Sequence, residues 1–403
     1  MNRINDINNL LSKLDITPTM YMNAIEKYKH LGDFLTSKGF EIDFYPQGSI
    51  ALGTVVRPYK NNEDTSYDLD AICQLQVSKQ DTTPKAIKEA IEKAFQEDER
   101  YKYKLKIYDE CCAIEYADVN GIGFSIDIVS AVDEDILNKQ KLASLATYPE
   151  YIDTSIAIPS HESQEYRWIT NNPRGYKAWF DGINNKFLSS NPIYSKEAIF
   201  NENRSLFSSI EEIPENLQKT SLQRVIQLLK RHRDVYFSKS KNGNDIKPIS
   251  AIITTLVTAI SESTHVAKNT IELLEYVLGE LNIYSERQIL NEKQFFSKYE
   301  TRDIIQRIDG KWEIKNPVNP NDNLADAWNY DERLPKAFFA WCQLVRDDFN
   351  NIINNENKSF VNKLENSFGS NFVKSNFAVD KYLDVELQNN ISNIRQVKPW
   401  RKV

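Results

Sequence analysis

Tyr67-Asp68-Leu69-Asp70-Ala71-Ile72 decides the fold of this chain, because it sets two carboxylates one residue apart in a run that otherwise reads as a buried strand. Successive strand side chains point to opposite faces, so Asp68 and Asp70 share one face while Tyr67, Leu69 and Ala71 take the other. Two carboxylates side by side repel each other. Their free oxygens suit a hard, oxygen-seeking cation such as Mg²⁺ or Mn²⁺. Phe124-Ser125-Ile126-Asp127-Ile128-Val129 repeats the pattern downstream, with Phe124, Ile126 and Ile128 facing one way and Asp127 the other. A neighbouring strand carrying Asp127 would complete a site for two metal ions.

Upstream, Glu41 to Gln47 reads as a short strand, Gly48 lets the backbone come close to a ligand, and Ser49 opens a helical turn through Ile-Ala-Leu. Free backbone N–H groups at a helix start, with a hydroxyl beside them, make a phosphate seat. A phosphate seat followed by three carboxylates points to phosphoryl or nucleotidyl transfer.

Taken in order, Gly48-Ser49, Gly53-Thr54, Arg57-Pro58, Tyr67-Asp68-Leu69-Asp70 and Ile126-Asp127-Ile128-Val129 resemble the DNA polymerase β-type nucleotidyltransferases. More narrowly, the chain resembles the bacterial cGAS/DncV-like nucleotidyltransferases (CD-NTases), the signal-producing enzymes of CBASS anti-phage systems. Three further stretches carry the narrower resemblance: Trp168 to Phe180, Leu222 to Asp234, and Asn316 to Trp328. A Gly-Ser pair or an Asp-x-Asp alone would be weak; their order and joint spacing are far more specific. The resemblance implies catalytic and metal-binding roles for Asp68, Asp70 and Asp127, with two Mg²⁺ or Mn²⁺ ions. It implies nucleotide contacts at Gln47, Gly48 and Ser49. A lysine and a serine that reach the triphosphate in the family map to Lys230 and Ser250, although on the residues alone Lys230 could be a surface charge and Ser250 a helix cap.

Composition bounds the remaining choices. At 403 residues, 41% hydrophobic and 11% aromatic, the chain can build a large core, about two to three domain-sized units or one bilobed body. No apolar run spans a bilayer and the N-terminus lacks a signal peptide's apolar core, so no membrane association and a cytoplasmic location are expected. Net charge, 50 basic against 57 acidic residues, is −7, which argues against general DNA binding. The basic clusters Lys102 to Lys106 and Lys230 to Arg233 read as solvated faces or triphosphate contacts. Cys73, Cys111, Cys112 and Cys342 form no C-x-x-C pair, and with four scattered histidines they predict reduced thiols and no structural zinc. The zinc ribbon of the animal relative, cyclic GMP–AMP synthase, has no counterpart in this pattern.

Along the chain, Asn5 to Leu14 reads as a short amphipathic helix, and Thr17-Pro18 as the cap and first residue of a longer one closed by Gly39. That longer helix is expected to brace the back of the catalytic sheet. Lys60 to Ser66 reads as a polar loop with Glu63 and Asp64 solvated, and Thr83-Pro84 opens a helix through about Phe95. Lys102 to Tyr108 and Cys111 to Ala117 read as strands, with a turn at Val119 to Gly123. Ser160 to Phe180 is expected to cross to a second lobe, predominantly helical from about Asn203. Helices are expected at Leu222 to Tyr236, Ile249 to Ile260, Thr270 to Leu281, Ser285 to Tyr299 and Leu324 to Asn350, with Asn316 to Asp326 as a turn and cap and a weakly patterned tail from Asn389.

The fold class expected is therefore α+β: a bilobed polymerase β-like core with a mixed sheet, residues 1–165, and a mainly helical C-terminal domain completing the nucleotide cleft, residues 166–403. The resemblance implies a cyclic oligonucleotide synthase that uses ribonucleoside triphosphates, releases pyrophosphate and makes a second messenger in anti-phage defence. Its product would be read by a separate CBASS effector, and a regulatory protein partner is compatible with the family. A linear oligonucleotide product, nucleotidyl transfer to protein or RNA, and a catalytically silent nucleotide- or partner-binding module are the alternatives.

Overall fold

The computed structural model describes residues 3–16, 18–57, 59–60, 63–65, 67–119, 122–162, 165–190, 219–266, 268–300, 303–354 and 357–377. Thr17, Asn120-Gly121, the start of the expected helical region from Asn203, and the tail from Asn389 lie outside the described residues. A mixed sheet of seven strands runs β1 (Ile42–Pro46), β4 (Tyr67–Leu75), β7 (Ile122–Asp133), β6 (Cys112–Val119), β5 (Leu105–Ile107), with β8 (Ile156–Glu162) added to the end of β7 and β9 (Glu165–Asn171) to β8. Strands β4 and β7 are parallel and the other pairings antiparallel. Between β1 and β4, β2 (Tyr59–Lys60) and β3 (Glu63–Asp64) form a small hairpin within the expected polar loop, and Glu63 is exposed.

The alternation read from the sequence is what holds this sheet. Leu69, Ala71 and Cys73 of β4 and Phe124, Ile126 and Ile128 of β7 are buried in one cluster. That cluster is covered by Leu31, Phe34 and Leu35 of helix α2 (Pro18–Ser37) and by Ile91 and Phe95 of α4 (Pro84–Gln96). Helix α2 braces the sheet as expected, and α4 starts where Thr83 accepts a hydrogen bond from the Ala86 amide and Pro84 occupies the first turn. The sheet face opposite this core is the one that carries the aspartates.

Several elements differ from expectation for local reasons. Tyr101 to Lys104 closes in turns, with the Lys104 amide on the Tyr101 carbonyl at 2.8 Å, so β5 keeps only three residues. Ser160 to Phe180 is not one crossing segment: its first part belongs to the β8–β9 hairpin, and Asn172-Pro173 then starts helix α6 (Pro173–Asn184), with the Asn172 side chain accepting from the Gly175 amide. The expected helix over Ser285 to Tyr299 is interrupted, because Asn291 forms a capping box with Gln294 and begins a separate helix, Glu292–Lys298. Asn316 to Asp326 is a hairpin, β12 (Lys315–Asn316) with β13 (Asn319–Asn323), following the two-stranded β10 (Gln306–Ile308) and β11 (Lys311–Glu313).

The second core is helical. It gathers α6, α7 (Ser221–Ser238), α8 (Gly243–Ile246), α9 (Ser250–Glu262), α10 (Thr270–Ser285), α11 (Glu292–Lys298), α12 (Arg333–Asn354), α13 (Asn357–Phe368) and α14 (Ser370–Asn376). Helix α1 (Arg3–Ser12), first in the chain, packs here and not on the sheet, through Ile7, Leu10 and Leu11. The two cores are stitched along one face of α7. Gln223 donates to the Leu52 carbonyl at 2.9 Å, Gln227 to the Val55 carbonyl at 2.8 Å, Lys230 to the Thr54 hydroxyl at 3.2 Å, and Arg231 to the Arg57 carbonyl at 3.2 Å. Gln223, Gln227 and Lys230, spaced three or four residues apart, with Arg231 next to Lys230, form a polar stripe against the segment that follows the Gly48-Ser49 turn.

Candidate active site

The parallel register of β4 and β7 sets Asp70 directly opposite Asp127 and Asp68 opposite Ser125. The Ser125 hydroxyl lies 2.8 Å from Asp68 Oδ1 and 3.1 Å from Asp127 Oδ1, so it links the two carboxylates, donating its one proton to either. Burial, then the charges of Asp127 and Asp68, push the Asp70 carboxyl up to about 6, while Lys230 pulls it back. Asp127 is also raised, by burial first, with the Ser125 hydrogen bond opposing and Asp68 adding. Asp70 and Asp127 are thus held toward their neutral forms, by burial first and by the neighbouring acids in addition.

Gly48 adopts φ +61°, and a Cβ built there would run into the Asp70 carboxylate. Only glycine lets the Gly48-Ser49 turn sit against the second aspartate. The turn is anchored by the Gln47 amide on the Asp70 carbonyl at 2.9 Å and the Thr54 amide on the Ser49 carbonyl at 2.9 Å. Its helix, α3 (Gly48–Ala51), is a single turn, so the sequence argument from a helix dipole reduces here to the local N–H groups and the Ser49 hydroxyl.

Gln47, Gly48, Ser49, Asp68, Asp70, Lys230 and Ser250 all line one cavity of about 480 Å³. Asp127 is half-buried beside it and reaches its edge through Asp70 and Ser125. Lys230, Arg233 and Lys247 bring basic groups to the same cavity. Lys230 is 4% exposed, and burial, then the neighbouring Arg233, push its amine down to about 7 against the pull of Asp234 and Asp70. The reading of Lys230 to Arg233 as a solvated face is therefore overturned: all four side chains are buried, because the elements on both sides of α7 close over it. Arg231 and His232 face away from the cavity, toward Tyr59 and Phe372 and toward Asp348 and Trp341.

Ser250 is not a cap. Ile249 occupies the cap position of α9 without a side-chain bond, and Ser250 Oγ accepts from Arg233 Nη1 at 2.9 Å. The open N-terminus of α9, thirteen residues long, therefore presents free N–H groups and Ser250 to the cavity, a favourable place for anionic oxygens.

Among the described residues, no three or more His, Cys, Asp or Glu side chains gather closely enough to hold an ion as they stand. The donor set nevertheless fits one by chemistry: carboxylate oxygens on paired strands, with Asp70 and Asp127 held above their ordinary range partly by neighbouring charge.

Residues 42–129, from β1 through the Asp127 strand, match the family model of the DncV-like cyclic GMP-AMP synthase nucleotidyltransferase domain. Over that segment the chain is similar to a DncV-like nucleotidyltransferase domain. It is 26% identical over 314 residues to a c-di-GMP synthase of Roseivirga ehrenbergii, an alignment covering 78% of this chain and 68% of that protein. The DncV-like fold extends over the helical region as well. The CD-NTase CdnG of Bradyrhizobium diazoefficiens, solved with GTP, superposes with a TM-score of 0.61 at 17% identity, covering 94% of this chain and 98% of that one. CdnC of E. coli MS115-1, solved with ATP, gives 0.53 at 15% identity over 87% and 91%. The Vibrio cholerae DncV cyclic AMP-GMP synthase gives 0.51 at 13% over 82% and 69%.

Sequence reasoning did not single out Lys247, Asn172, Tyr176, Asn316 and Asp322 as cavity residues, and it named Arg233 only within a basic cluster. Arg233 was legible as part of a basic cluster, but helical phase alone does not say which of four consecutive basic residues meets the cavity. The Asn/Pro-rich segment carried a turn signal that a ligand wall and a plain cap share.

Proposed function

We propose that this chain is a DncV-like nucleotidyltransferase and a cyclic oligonucleotide synthase, joining ribonucleoside triphosphates with release of pyrophosphate. One observation carries the reading: the in-register Asp70 and Asp127, with Asp68 two residues along, stand beside a cavity also lined by Lys230, Arg233 and the open N-terminus of α9. Acids and basic groups lining one cavity suit a triphosphate with its α-phosphate at the acids and its β- and γ-phosphates at the basic groups. The name of the Roseivirga relative supports the cyclic outcome.

Asp68, Asp70 and Asp127 would hold Mg²⁺ or Mn²⁺, two ions in the complete site, which when bound would lower the pKa of the acceptor sugar hydroxyl and offset charge at the α-phosphate. Gly48 keeps the turn close to Asp70, so that the Ser49 hydroxyl and adjacent N–H groups bind phosphate oxygens. A bound polyanion would favour the charged form of Lys230, whose amine burial pushes down to about 7; with Ser250, Lys230 orients the leaving pyrophosphate. Gln47 borders the same seat. The sheet lobe and the helical lobe act as the two jaws of this cleft. Synthesis in the cytoplasm as part of CBASS anti-phage defence, with the product read by a separate effector, completes the reading.

The test is incubation of the full chain with labelled ATP, GTP, CTP and UTP and Mg²⁺ or Mn²⁺, phosphatase treatment and mass spectrometry. A phosphatase-resistant product with the mass of a cyclic oligonucleotide is expected. Linear products alone would replace the cyclase by an oligonucleotide synthase, and nucleotide binding without pyrophosphate release would make the chain a silent module.

A further inference from the structure

The cavity suits a polyanion, yet one of its acids faces it without a cation. Asp68 and Asp70 belong to the reacting edge, and Asp234 is paired with Arg233 at 2.8 Å and Lys247 at 3.4 Å. Asp322, on β13, lines the same cavity and has no Lys, Arg or His partner among the described residues. A lone carboxylate repels phosphate, so its partner must be a part of the ligand that donates hydrogen bonds.

The carboxylate is held in place. Asp322 Oδ2 accepts from Asn316 Nδ2 at 2.9 Å, and Asn316 Oδ1 is itself held by the Val318 amide at 3.1 Å, which sets which way the Asn316 amide faces. The hairpin is fixed to the strand end beside it: Asn319 Nδ2 donates to the Thr170 carbonyl at 2.9 Å and Asn172 Nδ2 to the Val318 carbonyl at 3.2 Å. Asp322 Oδ1 has no partner among the described residues, and Oδ2 keeps a second lone pair. Tyr176, which interacts with Asp322 and whose hydroxyl is tied to Thr255 at 2.8 Å, lines the same cavity with Pro173 and Leu324. A fixed acceptor close to an aromatic ring, with apolar side chains lining the same cavity, suits a nucleobase better than a sugar.

We propose that Asp322 is a specificity-determining residue that selects guanine, Oδ2 accepting N1–H and Oδ1 accepting the exocyclic 2-amine. This rests on the nucleotidyltransferase reading above. Adenine offers a lone pair at N1, which a carboxylate repels, and no 2-amine. Hypoxanthine keeps N1–H and lacks the amine. Xanthine keeps N1–H and replaces the amine by a carbonyl oxygen, which meets the carboxylate as acceptor against acceptor. Asp322→Asn preserves an oxygen for N1–H and for Asn316 but turns the other position into an N–H donor, which matches xanthine and mismatches guanine.

The experiment measures competitive binding and pyrophosphate release with GTP, ATP, ITP and XTP on the full chain and on Asp322→Asn. Wild type is expected to favour GTP over each of the others, and Asp322→Asn to favour XTP over GTP, each preference about tenfold or more for a two-bond base contact. A gain toward XTP cannot come from misfolding. Wild type lacking a preference for GTP, a variant that keeps it, or a variant that loses all four nucleotides alike, as a ribose or structural contact would, overturns the assignment. Failure of wild type to bind any triphosphate would instead remove the synthase reading, and this inference with it.

Discussion

Asp70 stands where the charge balance of the site is worst, between Asp127 in register and Asp68 two residues before it. Asp68→Asn with Asp70→Asn is expected to abolish pyrophosphate release while leaving the thermal midpoint of the metal-free chain unchanged or higher, since two repelling charges become neutral. Wild-type release by the double variant would remove these acids from the reaction. The raised Asp70 carboxyl also gives a signed pH effect. Its folded value of about 6 lies above its ordinary 3.8, so the native state holds this proton more tightly than the unfolded chain. Its stabilising contribution is present in acid and lost as pH rises from about 4 to 6. In chelator, urea midpoints across that window should fall less steeply with rising pH for Asp70→Asn than for wild type; identical slopes would show that Asp70 titrates normally.

At the scale of elements, two devices place the site: the Gly48 turn and the polar stripe of α7. Gly48→Ala combines a φ of +61° with a Cβ driven into Asp70. It should cost about 1–3 kcal/mol in a denaturant titration and sharply reduce turnover, since either the turn or the carboxylate must move. A wild-type rate would mean that the turn and Asp70 need no fixed approach. In α7, Gln227 donates both to the Val55 carbonyl and to Asp15, which Arg224 also holds in a two-pronged pair. Gln227→Leu leaves that buried carbonyl unpaired, and a loss of about 1–3 kcal/mol in the same titration is expected, with some loss of activity from the loosened segment after the turn. No change in midpoint would show that the stripe packs without bearing strain.

For the whole molecule, a site assembled from two strands and completed by a helical lobe should be stabilised by what it binds. Mg²⁺ or Mn²⁺ at about a hundredfold excess over Kd adds about 2.7 kcal/mol to a native state that alone binds it. Scanning fluorimetry should show a higher Tm for wild type with Mn²⁺, a further rise with triphosphate, and neither metal effect in the Asp68→Asn, Asp70→Asn variant. An equal metal shift in both proteins would place the ion elsewhere.

Much of this was open to reading in the chain itself, and the reason is covalent. Strand side chains alternate by geometry, so Asp68, Asp70 and Asp127 had to stand opposite Leu69, Ala71, Ile126 and Ile128, and the apolar set announced which face was core. The Gly48-Ser49 turn and the starts of α2, α4 and α6 at Pro18, Pro84 and Pro173 are likewise local chemistry. Only the tertiary structure decided which strand Asp127 would neighbour and in what register, and which members of Lys230 to Arg233 would face the cavity. It also turned a Pro/Asn-rich cap into a hairpin presenting Asp322. Those outcomes depend on contacts between segments distant in the chain, as when Asp127 meets Asp70, Lys230 meets Thr54 or Asn319 fixes its hairpin to Thr170, and no local period encodes which distant surface a side chain will meet.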